Sequence, residues 1–207
     1  MTLADLRKRV MIDKLDDEDY EPEIIDNFLN DAQRDIFNQF ELPFMEKIFI
    51  GDVPAGTSII RLPDDVSRVE MHAMSGVQNF FQMKCECRDF FMLHADAMNA
   101  KPHAPYYWTE YAGNILLDAP TDKEYKLYTY YYKTPNTMAQ DTDKPDIPEE
   151  FTELLILGAL RRVHDRNEDM DLSTQVENQY QAQLQEMVTR FGMRDAFGPV
   201  KMRNLQI

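Results

Sequence analysis

The sequence predicts an α+β protein: a four-helix bundle core formed by the N- and C-terminal helices, a β-rich insertion, and an extended C-terminal tail. Three observations carry this. Apolar residues recur with a helical period towards both ends of the chain, while residues 44–134 alternate and turn as strands do. The last stretch, GMRDAFGPVKMRNLQI (192–207), holds two glycines and a proline and keeps no period at all. The predicted parts are residues 1–43 and 135–191 for the bundle, 44–134 for the insertion and 192–207 for the arm.

Residues 2–11 form a short helix, with Thr2 as cap, Asp5 three residues on, and Leu3, Leu6 and Val10 in one stripe. An acidic run, DKLDDEDYEPE (13–23), leads to a second helix. Pro22 sits in its first turn, where the missing N–H costs nothing, and the carboxylates around it suit the positive helix end. That helix runs to about Phe40 and buries Ile25, Phe28, Leu29, Ala32 and Ile36.

In the insertion, VPAGTSIIRL (53–62) predicts a hairpin turning at Pro54-Ala55-Gly56, and a strand follows over 66–74. VQNFFQMK (77–84) reads as a strand and RDFFMLHADA (88–97) as a short helix. Residues 105–120 form a hairpin with Ala112-Gly113-Asn114 at its tip, and EYKLYTYYYK (124–133) is the strongest strand.

Helices return at 148–169, opened by Pro148 and two carboxylates. Apolar residues surround this third helix on all sides, so it belongs in the middle of a bundle or between a bundle and another subunit. Phe151, Leu154, Ile156, Leu157 and Leu160 are its subunit-interface candidates. The last helix, about 172–191, has one apolar side made by Val176, Tyr180, Leu184, Met187, Val188 and Phe191.

Composition excludes several functions. The 207 residues carry a net charge of −15, which repels phosphate backbones, so nucleic-acid binding is not the main task. A passage that DNA slides past without sticking suits such a surface. The segment 193–207 runs against the trend. It has Arg194, Lys201 and Arg203 against Asp195, a surplus of two positive charges that leaves −17 for the rest. The longest apolar run, LLILGAL (154–160), is too short to span a bilayer, and the N-terminus has no secretory pattern. Cys85 and Cys87, with one residue between them, suit neither a structural disulfide nor a complete metal site, and point to a reducing cytoplasm.

No motif supplies chemistry. GDVPAGTS (51–58) approaches a phosphate-binding loop, but Thr57 stands where the lysine must be and a strand follows instead of a helix. His72, His94 and His103 near the two cysteines lack the paired spacing of a zinc site. The acidic run lacks the glycine and the carboxylate order of a calcium loop. Tyr128, Tyr130 and Tyr132 share one strand face, but a stacking platform for single strands sits in a basic groove, so sheet packing or a protein interface is the better reading. His164 lies where helix ends favour cations. No nucleophile, base and oxyanion pattern is present, no cofactor is implied, and the chain reads as a non-enzyme. A hydrolase built on a carboxylate pair in the insertion would need a deep pocket with a strongly perturbed carboxylate.

The order and spacing of several pieces resemble the head-to-tail connector, or adaptor, proteins of tailed bacteriophages. These are LADLRKRV, IIDNFLNDAQRDIFNQF (24–40), VPAGTSIIRLPDDVSRVEMH (53–72), NILLDAPTDKEYKLYTYYYKTP (114–135) and DTDKPDIPEEFTELLILGAL (141–160), which span most of residues 3–191. Residues 75–104 match no part of that pattern. The resemblance implies a structural virion protein at the head–tail interface, assembled in the host cytoplasm. It implies a ring, typically dodecameric, under the portal protein. Such a ring extends the DNA channel and gives tail or nozzle proteins a platform, with no membrane involved. A tail-tube or tail-completion protein built on the same ring logic is the alternative.

On this reading the C-terminal arm docks in extended form on the portal or a neighbouring subunit. Phe197, Pro199, Val200, Met202, Leu205 and Ile207 are its anchors, and Lys201 and Arg203 its charges.

Overall fold

The computed structural model describes residues 1–15 and 20–192. It is a mixed α+β protein, and the described residues form five α-helices and two three-stranded antiparallel sheets. The chain divides into two compact units. One holds residues 1–45 and the chain from Thr134 onward, the other Glu46–Lys133.

The helical unit starts with α1 (Leu3–Lys8), closed by a capping box in which the Thr2 hydroxyl accepts from the Asp5 N–H and the Asp5 carboxylate accepts from the Thr2 N–H. A wider π-helical segment, Arg9–Lys14, continues it. Helix α2 (Pro22–Gln39) has proline in its first turn and buries Ile25, Leu29, Ala32 and Ile36 as the period demands. Phe28 is only half-buried, while two polar residues, Asn30 and Gln33, are buried.

Helix α4 (Thr152–Arg166) is the centre of this unit. It packs against α2, against α5 (Met170–Gly192) and against the π-helical segment, so the chain itself covers an all-round apolar helix. The α2 and α4 backbones approach closely because Gly158 faces Ala32. A Cβ added at Gly158 would lie 2.6 Å from the Ala32 Cβ. Helix α5 contributes Tyr180, Leu184, Met187 and Phe191 from one side, as predicted for an outer helix.

Two polar devices fix the helical unit. The Arg7 guanidinium binds Asp26 through two bonds of 2.7 Å and reaches Asp141 at 2.9 Å, which ties α1 to α2 and to the segment before α4 and raises the guanidinium pKa. The second device holds that same segment. Asn30 Nδ2 donates to the Met138 carbonyl at 2.9 Å, and its Oδ1 accepts from the Met138 N–H at 2.8 Å. Gln33 Nε2 donates to the Asn136 carbonyl at 3.0 Å and its Oε1 accepts from the Asp146 N–H at 2.7 Å. These buried amides satisfy a loop that has no secondary-structure partner of its own.

The β unit is a two-layer sandwich. The first sheet has the order β1 (Glu46–Val53), β6 (Tyr125–Lys133), β3 (Val66–Met74). The second has the order β2 (Ile59–Arg61), β5 (Asn114–Leu117), β4 (Trp108–Tyr111). Between them lie Val53, Met74, Tyr125 and Leu127 from one sheet and Ile60, Leu62, Trp108, Ile115 and Leu117 from the other, with Phe80 stacked on Trp108 at 5.3 Å.

Two strand assignments from the sequence need correction. The segment around Pro54-Ala55-Gly56 is not a hairpin, because β1 pairs with β6 and β2 with β5. The turn carries the chain from one sheet to the other, and Thr121 holds it there. The Thr121 hydroxyl donates to the Pro54 carbonyl at 2.8 Å and accepts from the Thr57 N–H at 3.1 Å, and its carbonyl accepts from the Gly56 N–H at 2.7 Å. Residues 77–84 are likewise not a strand. Asn79 adopts a left-handed conformation (φ 56°) and starts a 3₁₀ turn, Phe80–Met83, whose first carbonyl accepts from the Trp108 indole N–H at 2.6 Å. The 105–120 hairpin does form, with Ala112 and Gly113 at positive φ (50° and 74°) and Asn114 opening the return strand. The short helix predicted at 88–97 is α3 (Cys87–Leu93), followed by a 3₁₀ turn over Ala97–Asn99.

Candidate interaction surfaces

Among the described residues, a polar cluster lies within the sandwich. His72 on β3, only 1% exposed, places Nδ1 2.9 Å from the Thr129 hydroxyl on β6 and Nε2 3.4 Å from Glu110 Oε1 on β4. The second distance is beyond a well-formed hydrogen bond, and Nε2 has no closer partner. Lys84 Nζ donates to the same Glu110 oxygen at 2.7 Å and lies 5.4 Å from the centre of the Trp108 ring. The His72 ring and then the Lys84 ammonium hold the Glu110 carboxyl down to about 2, against the opposing effect of partial burial.

Glu110 also lines an open groove of about 800 Å³ with Arg61, Asp64, Arg68 and Tyr111 among its walls. The groove thus does hold a perturbed carboxylate. The perturbation runs the wrong way for a general acid, which needs a raised pKa, and the neighbouring imidazole is sealed from any substrate. The cluster reads instead as a clamp between the two sheets.

The outer surfaces of the β unit differ from this polar interior. Tyr125, Leu127, Thr129 and Tyr131 point into the sandwich, so alternate residues of β6 point away from it. Register sets Ile48 and Met71 on either side of Tyr130, and Ile50 and Ala73 on either side of Tyr128. The result is an apolar face across three strands, with Ile48 and Ile50 54% and 59% exposed. The rim charges are paired within the face, Arg68 with Glu70 at 3.0 Å and Lys126 with Asp52 at 3.6 Å.

The second surface belongs to α3. Since Ile60, Ile115 and Leu117 face the core, Ile59 and Leu116 lie on the far side of their sheet. Helix α3 and the turn after it lie on that side, bounding a partly open pocket of about 180 Å³ lined by Phe90, Phe91, His94, Met98, Ile59 and Leu116. Phe90 is buried, and Phe91 packs edge-on against Tyr111 at 5.4 Å. The outward side of α3 is then Met92 and Leu93, 72% and 74% exposed.

The predicted site residues divide into two groups. Phe151, Leu154, Ile156, Leu157 and Leu160 are all buried in the helical unit. Phe197, Pro199, Val200, Lys201, Met202, Arg203, Leu205 and Ile207 lie outside the described residues, as do Asp16, Asp17, Glu18 and Asp19 of the acidic run. Cys85 and Cys87 are free and half-buried. Cys85 is held in extended backbone beside Trp108 and Thr109, and Cys87 opens α3. The exposure of Met92 and Leu93 is not legible in the run FFML, whose four apolar residues show no helical period. The sheet face was half visible, in the shared side of Tyr128, Tyr130 and Tyr132.

The described residues thus form a two-unit α+β protein whose β unit carries exposed apolar side chains on its outer surfaces. A family model described as SU10 adaptor protein matches residues 1–203, and the chain belongs to that family of tailed-phage adaptor proteins. No curated protein matches it. No helix among the described residues is long and apolar enough to cross a membrane.

Proposed function

We propose that this chain is the head-to-tail connector of its phage, a structural virion protein that forms a ring, a dodecamer by resemblance, beneath the portal protein. The observation that carries the reading is the adaptor-family match over residues 1–203. The helical unit, read as a four-helix bundle, forms the ring wall. The ring extends the DNA channel and presents a platform to tail or nozzle proteins. The net charge of −15 fits a lumen through which genomic DNA passes without sequence-specific binding. The surplus of positive charge in 193–207, against −17 on the rest, suits an arm that docks on an acidic neighbour or on the portal.

The test is the mass of the full chain alone and after mixing with portal rings of the same phage. Joining in about a dozen copies supports the reading. Failure to join overturns it, and binding to tail components instead would make the chain a tail-completion protein.

A further inference from the structure

We infer that β1 is an open sheet edge that takes residues 193–207 of a second copy as an added strand. The inference rests on the connector reading and names the surface that receives the arm.

The two sheets have four edge strands, and three of them are blunted. Strand β2 has three residues and β4 has four. Strand β3 breaks its register twice, between Val66 and Arg68 and between Val69 and Met71. Short strands and bulges are how sheets keep further strands away. Strand β1 has neither device. It pairs with β6 over eight consecutive positions, Glu46 to Val53, and contains no proline. Its one lysine, Lys47, is tied to Asp65 at 2.7 Å.

Backbone direction shows what β1 leaves open. The Lys126 carbonyl accepts from the Ser75 N–H at 2.8 Å, and the Lys126 N–H donates to the Ser75 hydroxyl at 2.8 Å. Lys126 and every second residue after it on β6 therefore turn to β3. Tyr125, Leu127, Thr129 and Tyr131 turn to β1, opposite Val53, Gly51, Phe49 and Lys47. The N–H and C=O groups of Ile48, Ile50 and Asp52 then point off the sheet, and no described residue bonds them. An open groove of about 410 Å³ lies beside Ile48 and Phe49, walled by Arg61 and Asp64. Such a row of backbone groups is matched by an extended strand, not by a helix or a flat apolar surface.

Charge and sequence select the strand. Glu46 and Asp52 bracket Ile48 and Ile50 on the outward side of β1. A second β1 is a poor partner. Set antiparallel, with Ile48 against Ile50, it brings Glu46 against Asp52 at both ends. Residues 193–207 carry the opposite sign, with Arg194, Lys201 and Arg203 against Asp195. Past Pro199 they hold neither proline nor glycine, and Val200, Met202, Leu205 and Ile207 are spaced by polar residues, as in a half-buried strand. Each copy brings one such segment and one open edge. A contact between these unlike parts repeats from copy to copy, so a closed ring leaves no edge unfilled.

The test is hydrogen exchange in the full chain, free and assembled on portal rings of the same phage. Assembly should slow the Ile48, Ile50 and Asp52 amides by about tenfold or more. An excess of a synthetic peptide of residues 193–207 should give the free chain the same protection. Two further peptides are N-methylated at alternate residues, one at Lys201 and Arg203, the other at Met202 and Asn204. One should still bind and the other should not, because an added strand bonds through alternate amides only. Ile50→Pro removes an outward N–H without touching a bond to β6, so it should keep the parent's melting and lose the peptide. The inference is overturned if the assembled chain still exchanges these amides freely, or if both methylated peptides bind. It is overturned too if the free chain protects the three amides at every dilution, since each arm then fills its own edge. In those cases the connector reading stands without it, whereas a chain that never joins the portal ends both.

Discussion

Gly158 sits in the middle of α4, where alanine would ordinarily be worth about 1 kcal/mol more than glycine. At this position the sign reverses. The added methyl carbon would lie 2.6 Å from the Ala32 Cβ on α2. Carbon atoms in contact rest about 3.5–4 Å apart, so the helices must part by about 1 Å. Overpacking of this kind costs about 1–3 kcal/mol. After the propensity gain, Gly158→Ala should destabilise the helical unit by about 1 kcal/mol, lowering its melting temperature by about 2–4 °C. Urea denaturation followed by far-UV circular dichroism, which weights the helical unit, measures it. The reciprocal change supplies the control. Ala32→Gly alone costs about 0.5–1 kcal/mol. Combined with Gly158→Ala it removes the clash, so the double variant should be more stable than the sum of the singles by about 1 kcal/mol or more. If Gly158→Ala stabilises the protein and the two changes simply add, the close crossing of α2 and α4 is wrong.

Three further outcomes follow from the buried polar groups and the arm. Asn30→Ala leaves the Met138 N–H and carbonyl unpaired in the interior and should cost about 3 kcal/mol, read in the same urea titration. Because the Glu110 carboxyl is held near 2 against an ordinary 4.5, its stabilisation is complete above about pH 4.5 and is lost as the pH falls through 2. Glu110→Gln should therefore destabilise the protein at neutral pH and flatten the acid limb of the stability curve. An unchanged acid limb refutes the clamp. Deleting 193–207 should leave the circular dichroism and melting intact and abolish attachment to the portal; full-affinity attachment by the truncated chain rules the docking arm out.

Local signals in the sequence translated well. The Thr2–Asp5 box, the α2 stripe, the strand at Tyr125–Lys133 and the Ala112-Gly113 turn each depend on residues a few positions apart. What misled was pairing at long range. The turn at Pro54–Gly56 has hairpin chemistry, but its flanking strands find better partners more than 50 residues later, and nothing near the turn reveals that choice. Asn30 and Gln33 look like surface residues because their partners, Met138, Asn136 and Asp146, lie more than 100 residues away. His72 carries no local sign of burial, yet its ring bonds Thr129 and faces Glu110 across the sandwich. The exposed patches were hardest to read, since an apolar side chain on a strand or helix carries no local mark of whether its own chain will cover it.

The first and last strands of the β unit are neighbours. Glu46, which begins β1, pairs with Tyr132, one residue before β6 ends. The helical unit therefore parts with its chain and recovers it a single strand spacing apart, and the detour of 88 residues between those points leaves no gap to bridge. Any module whose ends lie side by side fits the same two junctions, at Met45/Glu46 and Lys133/Thr134, without a change in the helices. The β unit is in that sense an exchangeable attachment, and a lineage can alter what it grips while leaving the body that carries it alone.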